Sequence, residues 1–247
     1  MFCNIRLGVF IVIISLTSVL SGLSYSHSYS YNIQYLSSNY KKDNKLLAKI
    51  QETNIELYSL DSEKDIEKNG EYRKIMLKVK DKKKEFSWHV DIGESFKPIL
   101  ILSDINSDGV DELIIIITTG HGTGVYTQEV HVVKVNSLDE IKVINPLKVI
   151  SKNVKTKMTK EDNNIDIKVD INGKLFKKSI KESESELWFD DVVFGNVINY
   201  DVVNNKLIAI IAAGASPTLR FGEVVISYMF KDGVLQPSNI FFREYKE

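Results

Sequence analysis

The sequence predicts a mainly β protein made of two related antiparallel units, with one short helix near the start. Three observations predict it. Ile75, Leu77 and Val79 alternate with Lys74, Lys78 and Lys80, and Ile165, Ile167, Val169 and Ile171 alternate with Asp166, Lys168, Asp170 and Asn172. A period of two marks strands with one buried and one solvated face. Asn172-Gly173 and Asp232-Gly233 separate such runs, as tight hairpin turns require. Finally, the stretch from Ser103 to Val135 recurs in degenerate form from Tyr200 to Phe230. Leu113, Gly120 and Glu129 correspond to Leu207, Gly214 and Glu223 at one constant offset.

Taken in order, residues 1–24 have the layout of a secretory signal peptide. Arg6 precedes an apolar run from Leu7 to Leu20, and Gly22 and Ser24 suit cleavage before Tyr25. The run is short of the roughly 20 residues that a membrane-spanning helix needs, so no stable membrane insertion is expected after cleavage. Residues 25–40, rich in Tyr and Ser, have no apolar period and are expected to be a mobile lead-in. A helix is expected next, capped by Asp43, with Leu46, Leu47 and Ile50 on one face. The β-rich domain then fills residues 41–247, with related units at about 54–150 and 151–247; residues 72–90 correspond loosely to 164–180. Leu113 to Ile117 is apolar throughout, which predicts a central strand covered on both faces.

Composition excludes several classes. The 32 Lys and Arg against 33 Asp and Glu leave a formal charge of −1, with no electrostatic footprint for nucleic acid. Cys3 is the one cysteine, so an internal disulfide and a Cys-rich metal site are excluded.

The strongest chemical signal is Asp104-Ile-Asn106-Ser-Asp108-Gly109-Val110-Asp111-Glu112. Oxygen-bearing residues at loop positions 1, 3 and 5 fall inside a tight turn, and glycine at position 6 permits the bend. Asp104, Asn106 and Asp108 would supply side-chain oxygens, Val110 a backbone carbonyl and Glu112 a closing carboxylate. Hard oxygen ligands without His or Cys suit calcium. An EF-hand places a bidentate Glu at position 12, which here is Ile115, and both flanks read as strands. Asp111 is expected outside the ligand set. The second copy, Asp201-Val-Val-Asn204-Asn205-Lys206, has too few carboxylates for a metal.

This loop resembles the calcium loops of FG-GAP and VCBS-type repeats over Ser103 to Val135, and weakly over the second copy. The resemblance implies propeller-blade-like strands and a calcium site at Asp104, Asn106, Asp108, Val110 and Glu112. The chain departs from it in being short for a seven-bladed propeller and in keeping the ligands in one loop only. As a whole it also looks like secreted proteins of Gram-positive bacteria that carry one such loop, a likeness that assigns no activity.

Other motifs are weaker. Gly120-His121-Gly122-Thr123-Gly124 lacks the Gly-Lys-Ser/Thr ending of a phosphate loop and reads as a flexible β-connection, with His121 at an exposed tip. Its counterpart, Gly214 to Thr218, is expected at the same end of the fold. His89, His121 and His131 share no spacing that makes a catalytic cluster, and no G-x-S-x-G is present. Trp188-Phe189-Asp190-Asp191 suits a sugar platform, but packing of Trp188 beside a solvated turn is the expectation. The functional expectation is a secreted or cell-surface calcium-binding protein without catalysis, whose partner is a surface polysaccharide or protein. The alternative is an extracellular hydrolase of cell-wall or polysaccharide material, using acids near Trp188 or histidines near His121. A third class is a partner or inhibitor of another secreted protein.

Overall fold

The computed structural model describes residues 44–246. The expected signal peptide (1–24), lead-in (25–40) and helix cap Asp43 lie outside the described residues. The first strands are β1 (Lys45–Ile50) and β2 (Ile55–Ser59), followed by helix α1 (Glu63–Asn69). Next come β3 (Glu71–Tyr72), β4 (Ile75–Val79), β5 (Lys82–Phe86) and β6 (Val90–Asp91). A long meander follows: β7 (Ile99–Ser103), β8 (Glu112–Gly122), β9 (Val125–Lys134) and β10 (Glu140–Val143), then helix α2 (Pro146–Asn153). The second half holds β11 (Val154–Glu161), β12 (Asn164–Ile171) and β13 (Lys174–Lys181). It ends with β14 (Val193–Val203), β15 (Lys206–Gly214), β16 (Arg220–Lys231) and β17 (Val234–Glu244).

The expected helix at residues 43–50 is corrected by the structure: Lys45–Ile50 is strand β1, paired with β2. Leu47 is buried between less buried neighbours, so a strand packs this segment and the helical spacing of Leu46, Leu47 and Ile50 does not. Two helices that the period did not indicate have clear end signals. Ser62 and Asp65 form a capping box at α1, with Gly70 in the left-handed region after it. At α2, Asn145 accepts from the Leu147 and Lys148 N–H groups, and Pro146 opens the helix.

Antiparallel meanders β1-β2-β4-β5 and β11-β12-β13 form two small sheets. The largest sheet runs β10-β17-β16-β15-β14-β9-β8-β7. β10 also pairs with β9 through Glu140–Val133 and Ile141–Val132, and with β17 through Lys142–Val234 and Val143–Leu235. Six strands therefore close a circuit, with β8 and β7 extending from it. The expected hairpin turns are present: Asn172 (φ 52°) and Gly173 (φ 83°) join β12 to β13, and Asp232 (φ 53°) and Gly233 (φ 79°) join β16 to β17. Among the described residues no helix is long and apolar enough to cross a membrane.

Strand β8 is covered on both faces. Ile114 and Ile116 lie in the main core, with Val132, Val149, Leu207 and the apolar face of β12. Leu113, Ile115 and Ile117 lie in a second core with Leu57, Ile75, Leu77 and Trp88 of the first half. The segments matched in sequence fall on β7–β9 and β14–β16. Leu113, Ile115 and Ile117 share a core with the small sheet of their half, and Leu207, Ala209 and Ile211 share one with β12. Both second strands carry a register shift at the matched glycines, Gly120 and Gly214. At Gly120 a Cβ would come 2.8 Å from Thr127 Oγ1, so any side chain there would force the Thr127 hydroxyl aside. Glu129 and Glu223 differ: Glu129 is exposed, whereas Glu223 is 8% exposed and held by Arg243 and by the Tyr245 hydroxyl.

Because Ile115 is fully buried in the second core, Ile115→Ala is expected to cost about 2–5 kcal/mol of stability. Ile99→Ala, at a 40% exposed position on the edge strand β7, should fall within about 0.5 kcal/mol. Urea unfolding of both variants, at unchanged slope, checks the contrast.

Candidate functional site

The loop between β7 and β8 is folded by its own side chains. Ile105 enters the main core and anchors the loop at its base, and Ser103 Oγ donates to Asn205 Oδ1 across to the β14–β15 turn at 3.0 Å. Beyond Ile105 the backbone reverses through Ser107 (φ 63°) and Gly109 (φ 86°), and glycine meets the second of these at no steric cost. The Asp104 carboxylate accepts from the Asp108 N–H (3.1 Å) and the Gly109 N–H (3.0 Å). Asn106 Oδ1 accepts from the Asp108 N–H at 2.8 Å, and Asp108 Oδ1 from the Val110 N–H at 2.9 Å. Short polar side chains thus replace ladder hydrogen bonds that the turn cannot make.

Charge then accumulates at one point. Asn106 Nδ2 donates to Asp108 Oδ2 (2.9 Å) and to Glu112 Oε1 (2.6 Å), so a single amide group holds two carboxylates together. Glu112 opens β8 and is only 2% exposed. Its second oxygen, Oε2, is buried without a partner. Burial, then the charges of Asp108 and Asp104, holds the Glu112 carboxyl above its ordinary range. A cavity of about 90 Å³ adjoins the group, lined by Asp108, Val110, Asp111 and Glu112 on one side and by Lys134 and Asn136 on the other.

Asp104, Asn106, Asp108 and Glu112 are therefore brought together. Val110 sits on the cavity rim, 45% exposed, and Asp111 is exposed. Among the described residues, no three or more His, Cys, Asp or Glu side chains are grouped so as to hold a metal ion. The carboxylates face backbone N–H groups and the Asn106 amide instead. In the second half the matched loop is reduced to a two-residue turn, Asn204 (φ 50°) and Asn205 (φ 57°), between paired Val203 and Lys206. Asp201 lies within β14 and accepts from the Val202 N–H.

The histidines do not meet. His89 pairs with Glu71 at 3.3 Å, His121 with Asp91 at 3.0 Å and His131 with Glu140 at 2.6 Å. The glycine segment is also more ordered than a flexible connection: Gly120, His121 and Gly122 belong to β8, and only Thr123-Gly124 turn. His121 is 44% exposed but stacks on Phe96 at 4.1 Å, while Asp91 is fixed by the Gly93 N–H at 2.6 Å. No sequence spacing announced the Asp91–His121 pair, because it joins β6 to the far end of β8. The two matched connections do share one end of the fold, where Arg220 donates to the Gly124 carbonyl at 2.6 Å. Trp188 packs partly buried against the main core, donating to the Glu182 carbonyl, and Asp190 and Asp191 are exposed. Sequence reasoning also missed Asp61. Its Oδ2 accepts from the Arg73 and Lys74 N–H groups and from Ser59, which ties the end of β2 to the start of β4.

No family model matches this chain, no curated protein matches its sequence, and no solved structure matches its fold.

A carboxyl raised in the folded state contributes stability below its unfolded pKa and loses it as pH rises through the folded value. In chelator-treated protein, Glu112→Gln is therefore expected to raise the melting temperature at neutral pH, with the gain vanishing in acid where Glu112 is protonated. Thermal unfolding across pH checks this. His121→Ala removes a stacked ring and a hydrogen-bonded pair and is expected to cost about 1 kcal/mol, against the near-zero cost of a loop-tip residue. The same unfolding measurement reads the difference.

Proposed function

We propose that this is a secreted calcium-binding β protein with a binding or structural role at the cell surface or outside the cell. The observation that carries the reading is the unpartnered, buried Oε2 of Glu112 beside Asp108 and Asp104. A buried carboxylate crowded by two neighbouring ones is costly without a compensating charge. The donor set fits calcium, since it is all oxygen and includes three carboxylates and one amide. Side-chain oxygens of Asp104, Asn106, Asp108 and Glu112 and the Val110 carbonyl would hold the ion, which supplies the compensating charge. The N-terminal pattern of residues 1–24 supports export.

The chain's own residues set what binding would do. Ile105 below the loop and Glu112 at the mouth of β8 link the site to the most buried strand. The role is structural rather than catalytic, and the separate histidine–carboxylate pairs lend the hydrolase alternative no support. Strands β7 to β9 and β14 to β16 fit a duplicated unit whose second copy has lost its loop, in keeping with the resemblance to FG-GAP and VCBS-type repeats. The partner class in this reading is a surface polysaccharide or protein.

Calorimetric titration after chelator treatment is expected to show one calcium per chain and weaker magnesium, which demands a tighter octahedron. A dissociation constant of about 0.1–1 mM, usual for extracellular modules, gives about 0.6–2 kcal/mol of stabilisation at millimolar calcium. Asp108→Ala should abolish binding, Asp111→Ala should weaken it little, and Asp201→Ala should leave it unchanged. Absence of binding at millimolar calcium overturns the proposal.

A further inference from the structure

The small sheet β11-β12-β13 buries one face in the main core, through Ile165, Ile167, Val169, Ile171 and Ile180. Side chains alternate along a strand, and residues directly opposite one another share a face. Lys157 lies opposite Lys168, and Lys168 opposite Lys177, so three lysines form one row across the outer face. All three are exposed. Their Cα atoms recur about every 5 Å at ordinary sheet dimensions. Like charges placed directly opposite one another destabilise a sheet. Among the described residues these three lysines have no ion pair, whereas the neighbouring Lys160 and Lys178 pair with Glu182 and Glu244. The first small sheet shows the other arrangement. In its row Lys49–Glu56–Lys78 the acid stands between the lysines, and Glu56 pairs with Lys78 at 2.7 Å. Lysine on an edge strand deters pairing with another chain, which suits Lys157 and Lys177. Lys168 is on the central strand and has no edge to guard.

The groups beside the row indicate its occupant. On one side lies the row Thr159–Asp166–Ser179, two hydroxyls and a carboxylate that can exchange hydrogen bonds with sugar hydroxyls. On the other, Asp170 stands between Lys155 and Leu175, with its Oδ1 held by the Gly173 N–H at 2.8 Å. These rows carry no aromatic ring on which a nucleic-acid base could stack. Leu175 is their one large apolar side chain, too little to enter a membrane surface. The outer face thus offers a line of cations next to groups that hydrogen-bond. We infer that it binds an acidic polysaccharide, with carboxylates along Lys157, Lys168 and Lys177 and sugar hydroxyls against Thr159, Asp166 and Ser179. This names the partner class of the extracellular reading above and rests on that reading, but it makes no use of the calcium loop.

Titration of the purified protein into fluorescently labelled oligogalacturonate, in chelator and read by anisotropy, tests it. Saturable binding is expected, weakened by salt. Lys168→Glu should weaken it at least about tenfold, and Lys157→Ser and Lys177→Ser should each weaken it less. Lys83→Ser, which removes an exposed lysine from β5, should leave it unchanged. Without the oligomer, Lys168→Glu should melt no lower than the parent, because an acid then stands between two lysines. Its loss of binding is thereby separated from unfolding. Absence of binding at millimolar oligomer overturns the inference. So does equal binding of the fully methyl-esterified oligomer, or an equal loss in Lys83→Ser. Tighter binding to polyphosphate or to phosphatidylglycerol vesicles also overturns it, since the occupant would then be of another class. Oligogalacturonate binding without any calcium binding would sink the calcium site and leave this inference standing. Calcium binding without oligogalacturonate binding would overturn this inference alone.

Discussion

The rest of the structure depends on the two-sided burial of β8. Leu113, Ile115 and Ile117 close the core of the first half, while Ile114 and Ile116 enter the core that holds the second half together. A strand with no wet face gains burial from both sides, at roughly 1.5–3 kcal/mol for each large aliphatic side chain. The edge strand β7 follows the same rule, with Leu100 and Leu102 packed toward one core and Ile101 toward the other. Neither core is complete without this pair of strands.

That constraint also places the chemistry. The two ends of β8 each carry a polar group: Glu112 and the acidic loop at its start, and His121 with Asp91 near its end. Because β8 is held on both faces, Glu112 has little freedom to swing its carboxylate out to water. The raised Glu112 carboxyl and its orphan oxygen follow from this anchoring rather than from the loop sequence alone. By contrast, the equivalent turn in the second half carries no buried acid, and its two left-handed asparagines form the shortest connection two strands allow.

The closed circuit of strands has a narrow seam. β10 contributes two residue pairs to β9 and two to β17, and β9 meets β14 through only two more, far fewer than the long β16–β17 ladder. The His131–Glu140 pair spans the β9–β10 part of that seam, and the His131 ring stacks on Trp88 at 4.2 Å. Closure therefore relies on side-chain contacts with the second core as much as on backbone hydrogen bonds.

Sequence by itself determined what depends on near neighbours. Alternation at Ile75–Val79 and Ile165–Ile171, the turns at Asn172-Gly173 and Asp232-Gly233, and the unbroken apolar run at Leu113–Ile117 each follow from local geometry and are found as read. The inward folding of Asp104, Asn106 and Asp108 was legible for the same reason, since each oxygen meets an N–H within five residues. The segment 45–50 is a strand where a helix was expected because Leu46, Leu47 and Ile50 are too few to fix a period, and pairing with β2 decides it. Tertiary structure alone decided which residues sit opposite one another over long separations. The parallel pairing of β10 with β17, the Asp91–His121 pair and the Lys134–Asn136 wall of the cavity join segments whose local sequences carry no mark of each other. Those contacts are set by how two cores share one strand, and that is a property of the packed chain rather than of any window along it.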